Sequence, residues 1–186
     1  MTKEEILDKI DNNGYFWRND APRFYDILQN YPSKGSLLEI GTGKCDSSFF
    51  WARTKPDWII YTMDSFRVAS DYIGGYGLED LGNNVRSFRS QGITNVLPIV
   101  ANSFDVPWEI PIDVLYIDGD HSYQAVKSDF EKFTKFLKPG GVVFMDDYSI
   151  DKPGEIDVKS YLEKEVRPNS RWRIEPLERM VIVWQT

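Results

Sequence analysis

The chain has 186 residues, 41% hydrophobic and 27% charged, which is the composition of one globular domain with a sizeable core and excludes wholesale disorder. A net charge of −7 with no basic block disfavours a nucleic-acid backbone or an anionic membrane surface as partner. Cys45 is the single cysteine and His121 the single histidine, which excludes an internal disulfide, a Cys-based zinc cluster and any site needing two histidines.

In chain order, residues 3–11 and 20–30 read as short helices, the second with Asn19 or Asp20 as its cap and Pro22 in its first turn. SLLEI (36–40) reads as a buried strand, 47–53 as a helix and WIIYTM (58–63) as a second strand. Residues 67–92 are polar and helical in parts. NVLPIVA (95–101) is a third strand, with Pro98 pointing to the sheet edge, and IDVLYI (112–117) is a fourth. Helical spacing runs through 122–137, VVFM (142–145) is a fifth strand and 157–165 a helix. RWRIEPL and RMVIVWQ read as two closing strands, near enough in sequence to pair antiparallel. The opening MTKEEILDKI lacks the apolar core of a signal peptide and no run approaches 18 apolar residues, so a cytoplasmic protein is expected.

Apolar strands alternating with helices predict a doubly wound α/β sheet, whose ligands bind beyond the carboxyl ends of the strands. Those ends carry Glu39-Ile40-Gly41-Thr42-Gly43, then Asp64, Asn102-Ser103, Asp118-Gly119-Asp120-His121, and Asp146-Asp147. The Gly-rich loop admits three readings. A dinucleotide loop fails because Asp46 stands where a third small residue belongs, and its charge repels a pyrophosphate. A Walker loop fails at Leu38 and Cys45. A nucleoside with a cationic sulfonium tolerates Glu39, and Asp64 lies where a carboxylate accepts from a ribose diol. Asn102 and Ser103 either meet an adenine edge or are ordinary loop polarity, and Cys45 packs rather than attacks.

The segments SLLEIGTGKCDSS, YTMD, ANSF and DVLYIDGDHSYQAVKSDFEKFTKFLKPGGVVFMDD resemble the class I S-adenosylmethionine-dependent methyltransferases, and the last is similar to the sugar, macrolide and catechol-like O-methyltransferases. The resemblance spans about residues 36–148. It implies a Rossmann-like, mostly parallel seven-stranded sheet with one antiparallel strand near the C-terminus. It divides a single domain (1–186) into an N-terminal helical extension (1–35), a cofactor core (36–148) and a C-terminal helix and strand pair (149–186). It implies S-adenosyl-L-methionine held by Glu39, Gly41, Thr42, Gly43, Asp64, Ser65, Asn102, Ser103 and Asp118. Asp118, Asp146 and Asp147 match the positions where divalent-metal O-methyltransferases hold Mg²⁺, and His121 stands where catechol-type relatives tend to carry a basic Lys. The resulting expectation is methyl transfer to a hydroxyl of a small molecule, with His121 and Asp118 catalytic and Mg²⁺ assistance as one option. A cofactor-binding domain without turnover and another nucleotide-using α/β enzyme are the alternatives. Neither nucleic acid nor membrane is an expected partner, and a homodimer is one option for its assembly.

Three further features stay open at this level. Asp120 could cap the 122–137 helix. Residues 65–82 could form a lid or a surface helix with a loose loop. Tyr15, Phe16 and Trp17 could close an acceptor pocket or simply pack, and Arg67 and Arg86 could receive an anionic substrate or stay solvated.

Overall fold

A computed structural model of the chain describes residues 1–10, 19–66, 77–150 and 152–186. Helices α1 (Lys3–Leu7) and α2 (Ala21–Gln29) precede β1 (Ser36–Ile40), α3 (Asp46–Thr54), β2 (Ile59–Asp64), α4 (Leu78–Ser90), β3 (Val96–Val100) and β4 (Ile112–Ile117). Then come α5 (Tyr123–Phe133), β5 (Leu137–Met145), α6 (Val158–Tyr161) running into a π-helical turn, β6 (Trp172–Pro176) and β7 (Val181–Gln185). Among the described residues no helix is long and apolar enough to cross a membrane.

The strands form one sheet in the order β3-β2-β1-β4-β5-β7-β6. The first five are parallel, and β7 runs antiparallel to both β5 and β6. This is the expected sheet with its one antiparallel strand. Chain order reverses between β1 and β4, so the crevice for a ligand lies past Ile40 and Ile117. Pro98 is tolerated because β3 is the edge strand.

Strand alternation sorts the side chains into two layers. Leu37, Ile60, Val114, Tyr116, Val142 and Phe144 face α2 and α3, meeting Phe24, Phe50 and Trp51. Leu38, Ile40, Leu115, Ile117, Val143 and Met145 face α5 and α6, meeting Phe130, Phe133, Tyr161 and Leu162. Each such fully buried large side chain stabilises the fold by about 1.5–3 kcal/mol. Phe24 stacks on Phe144 with centroids 4.3 Å apart, and Trp51 meets the Tyr116 ring edge-on at 5.2 Å.

Several local expectations shift. The first helix stops at Leu7 instead of reaching residue 11, and residue 11 lies outside the described residues. α5 ends at Phe133, because a 3₁₀ turn (Thr134–Phe136) leads into β5. β5 begins before 142, but its register shifts opposite Ile112 and Val114, so only 142–145 pairs continuously on both sides. Asp20 occupies the N-cap position of α2 without a capping bond. Its buried carboxylate instead accepts the backbone N–H groups of Glu178, Arg179 and Met180 at 3.1, 3.0 and 2.9 Å. The N-cap of α5 is Ser122, and Asp120 accepts from the Ser122 N–H one step earlier.

Candidate active site

Gly41 leaves β1 with φ +94°, and its N–H donates to Met63 O at 2.8 Å. A Cβ at Gly41 would lie 2.0 Å from the Asp118 carbonyl oxygen. The neighbouring β4 loop by itself therefore requires glycine here. The loop then turns through Gly43 (φ 48°) and Cys45 (φ 66°) into α3. Burial pushes the Cys45 thiol up to about 12, with the Glu39 charge adding to the effect, so it stays protonated and packs as expected.

Asp64, at the end of β2, holds this loop in shape. Its Oδ2 accepts the N–H groups of Thr42 and Gly43, both at 3.1 Å, and its Oδ1 accepts from Phe66 N–H at 2.8 Å. The carboxylate remains partly exposed, with lone pairs to spare for a diol. Ser65 follows it, also partly exposed.

Glu39 departs from the expectation that it approaches the cofactor. Period-two alternation turns it into the α3 layer, where it has no exposed surface. Its Oε1 accepts from Trp51 Nε1 at 3.0 Å and its Oε2 from Thr62 Oγ1 at 2.5 Å and from Ser48 Oγ. Burial raises its pKa and these hydrogen bonds lower it in part. With no atom at the surface, Glu39 reaches a ligand only through the loop it braces. Thr42 joins the same network through a 2.7 Å contact with the Thr62 hydroxyl.

Beyond β3, Asn102 is exposed and its Oδ1 accepts the Phe104 N–H at 2.9 Å, which folds the loop. Ser103 is anchored from below: its carbonyl accepts from Lys132 Nζ, on the same helix as the buried Asp129. Burial lifts the Asp129 carboxyl to about 6, against the lowering effects of Ser103 and Lys132.

The acidic cluster forms at the ends of β4 and β5. Asp118 N–H continues the ladder to Ile40 O, and its Oδ2 accepts from Tyr116 OH at 2.9 Å. Burial, then the Asp146 charge, pushes the Asp118 carboxyl well above the usual range. His121 Nε2 lies 3.6 Å from Asp118 Oδ1 and 3.7 Å from Asp147 Oδ2. The sheet thus brings Asp118, His121, Asp146 and Asp147 together.

The sequence reading missed Arg179. Its Nε donates to Asp147 Oδ1 at 2.7 Å and its Nη2 to Asp146 Oδ2 at 3.2 Å, and Nε also lies 3.1 Å from Asp146 Oδ1 in ion-pair contact without hydrogen-bond alignment. The signal was available: an antiparallel β7 starts where β5 ends, and Met145 pairs with Val181, which sets residues 179 and 180 beside 146 and 147. Among the described residues no group of three or more His, Cys, Asp and Glu side chains is arranged to hold a metal ion. The expected Mg²⁺ set Asp118, Asp146 and Asp147 does not fit one, because a guanidinium already occupies the space between two of its carboxylates.

Residues 38–148 match the family described as "Methyltransferase domain". This chain belongs to that family. Within it, the sheet order and the resemblance in sequence put the chain among the class I S-adenosylmethionine-dependent methyltransferases. The uncharacterized protein R132 of Acanthamoeba polyphaga mimivirus is 39% identical over 136 residues, which is 67% of this chain. The chain spans 58% of that curated relative's length. Among solved structures, the O-methyltransferase from Bacillus cereus in complex with SAH superposes with TM-score 0.74 at 14% identity, covering 100% of this chain and 93% of that one. The O-methyltransferase NovP gives 0.63 at 20%, covering 98% and 78%. An rRNA methylase from Streptococcus thermophilus gives 0.64 at 15%, covering 88% and 94%. These likenesses describe the methyltransferase fold. They extend to an RNA methylase, so the fold by itself does not choose the acceptor.

Two regions given a part in the sequence reading are beyond this description. Tyr15, Phe16 and Trp17, Arg67, and most of the 65–82 segment lie outside the described residues. Arg86 is engaged with Asn83 Oδ1 at 2.6 Å on the exposed side of α4.

Proposed function

We propose that this methyltransferase moves the methyl group of S-adenosyl-L-methionine to a hydroxyl of a small molecule. The observation that carries this reading is the placement of His121 between Asp118 and Asp147 at the switch point of the sheet, one loop away from Asp64 and the glycines. The donor set suits this cofactor. Asp64 offers a partly exposed carboxylate for a ribose diol, and Asp46 in the first turn of α3 disfavours a pyrophosphate. The sulfonium supplies an electrophilic methyl group, so the protein's part is alignment and acceptance of one proton. A new C–O bond forms as the S–CH₃ bond breaks, and the hydroxyl proton passes to His121 Nε2. Asp118 and Asp147 flank that nitrogen at 3.6 and 3.7 Å. In this reading Asn102 and Ser103, after β3, serve the base, and Ser65, after β2, serves the ribose. A small acceptor rather than a nucleic acid accords with the net charge of −7.

Calorimetric titration with S-adenosylhomocysteine tests the cofactor, and labelled methyl transfer over a panel of hydroxylated acceptors tests the reaction. Micromolar binding that weakens at least about tenfold in Asp64→Ala is expected. No binding to the folded wild-type protein overturns the reading.

A further inference from the structure

We propose that Arg179 is the resident cation of the Asp118–Asp146–Asp147 cluster and that it closes these carboxylates to a divalent metal. Three independent features place it. First, the β6–β7 connection is pinned: Asp20, 4% exposed, accepts the three consecutive N–H groups of Glu178, Arg179 and Met180. Second, the Ser149 N–H donates to the Arg179 carbonyl at 3.0 Å, which ties the segment after β5 to the same hairpin. Third, the guanidinium contacts both carboxylates of the pair at 2.7 to 3.2 Å, while Asp146 and Asp147 are only 2% and 5% exposed.

Two buried carboxylates side by side repel and need a positive charge. A planar guanidinium held from both ends meets that need and leaves no room for a second cation between the same oxygens. Asp146 Oδ1 makes the point most sharply, since it is buried, lacks a hydrogen bond, and has Arg179 as its nearby charge. The fixed positive charge offsets part of the negative charge at the floor of the site. In the methyl-transfer reading it therefore serves as a positioning residue, keeping Asp147 oriented toward His121 without a metal. The exclusion of the metal does not depend on that reading, and its test does not use methyl transfer.

The experiment is titration of the full chain with Mn²⁺, followed by the loss of the free-ion paramagnetic resonance signal and by thermal shift. Wild type is expected to show no saturable binding up to about 1 mM, the weak end of the range for oxygen-ligand sites. Arg179→Ser frees the carboxylates and is expected to bind at least about tenfold more tightly, with the gain abolished by adding Asp146→Asn. Arg179→Lys keeps the charge and is expected to stay closed. Saturable wild-type binding that Asp146→Asn removes overturns the proposal, and so does a folded Arg179→Ser that binds no Mn²⁺. Should Arg179→Ser fail to fold, Arg179→Met keeps the apolar stem, and the wild-type titration decides by itself. Cofactor titration of the same samples separates the two readings, because wild type can bind S-adenosylhomocysteine whatever its answer to Mn²⁺.

Discussion

Gly41 and Asp118 meet backbone to backbone across the crevice: the space where a Gly41 Cβ would project is taken by the Asp118 carbonyl, 2.0 Å away. The β1 and β4 loops are thereby locked to each other at the point where chain order reverses. Gly41→Ala must move one of them and must also hold φ +94° with a side chain. The expected cost is roughly 3 kcal/mol or more, together with loss of cofactor binding. Gly43 stands at φ 48°, inside the ordinary left-handed region, and Gly43→Ala should cost only about 1 kcal/mol. Urea denaturation of both variants checks the difference, and equal losses would refute the backbone argument.

Glu39 braces the same loop from within the α3 layer. Glu39→Ala removes a buried acceptor shared by the Trp51 indole N–H and the Ser48 and Thr62 hydroxyls and opens a cavity beside them. A loss of about 3–5 kcal/mol is expected. In Glu39→Gln the amide oxygen still accepts from Trp51 and the amide N–H groups donate to hydroxyls, which rotate to receive them. That variant should cost no more than about 1 kcal/mol and keep cofactor affinity. A Gln variant as unstable as the Ala variant would show that the charge, and not the bonding, matters.

Asp129 gives a pH signature. Its folded carboxyl sits at about 6, above the ordinary 3.8, so the native state binds more protons than the unfolded chain between those values. The favourable contribution of the protonated group is complete below the unfolded value and is lost as pH rises through about 6. At pH 7 the ionised, buried group costs on the order of 3 kcal/mol. Asp129→Asn should therefore stabilise the protein at pH 7.5 and have little effect near pH 4 (values chosen to bracket the roughly 4-to-6 window). Thermal melts at the two pH values are the check, and the opposite order would refute it.

His121→Ala tests the proton acceptor. Methyl transfer should fall by about 10²- to 10⁴-fold, and the rise of rate with pH should flatten, while S-adenosylhomocysteine still binds. An unchanged pH–rate profile would remove His121 from the reaction.

Much of the sheet was legible because its strands are short apolar runs between polar ends. SLLEI, IDVLYI and VVFM need burial on both faces, and each appears where that pattern puts it. Pro98 announced the edge. Helix ends were less legible: whether α5 continues past Phe133 depends on β5 pairing near Ile112, a contact far away in sequence. At the site, the polar strand ends marked the right end of the sheet, but not what each side chain does there. Glu39, next to the glycines at the end of the first strand, was expected to approach the cofactor. Strand alternation assigns it to the face that α3 covers, and only packing shows that nothing of it remains exposed. Arg179 carries no local signal, and its partners appear only once β7 is set beside β5.

By itself the sequence determined the α/β alternation, the family, and the cluster of polar residues at the carboxyl ends of the strands. These follow from local spacing and from the need to bury every central strand twice. The tertiary structure decided which charges meet. Asp20, Asp146, Asp147 and Arg179 lie up to 159 residues apart and carry no local pattern. Their pairing exists only because an antiparallel β7 is inserted beside β5, where buried carboxylates must find a positive charge or stay unionised.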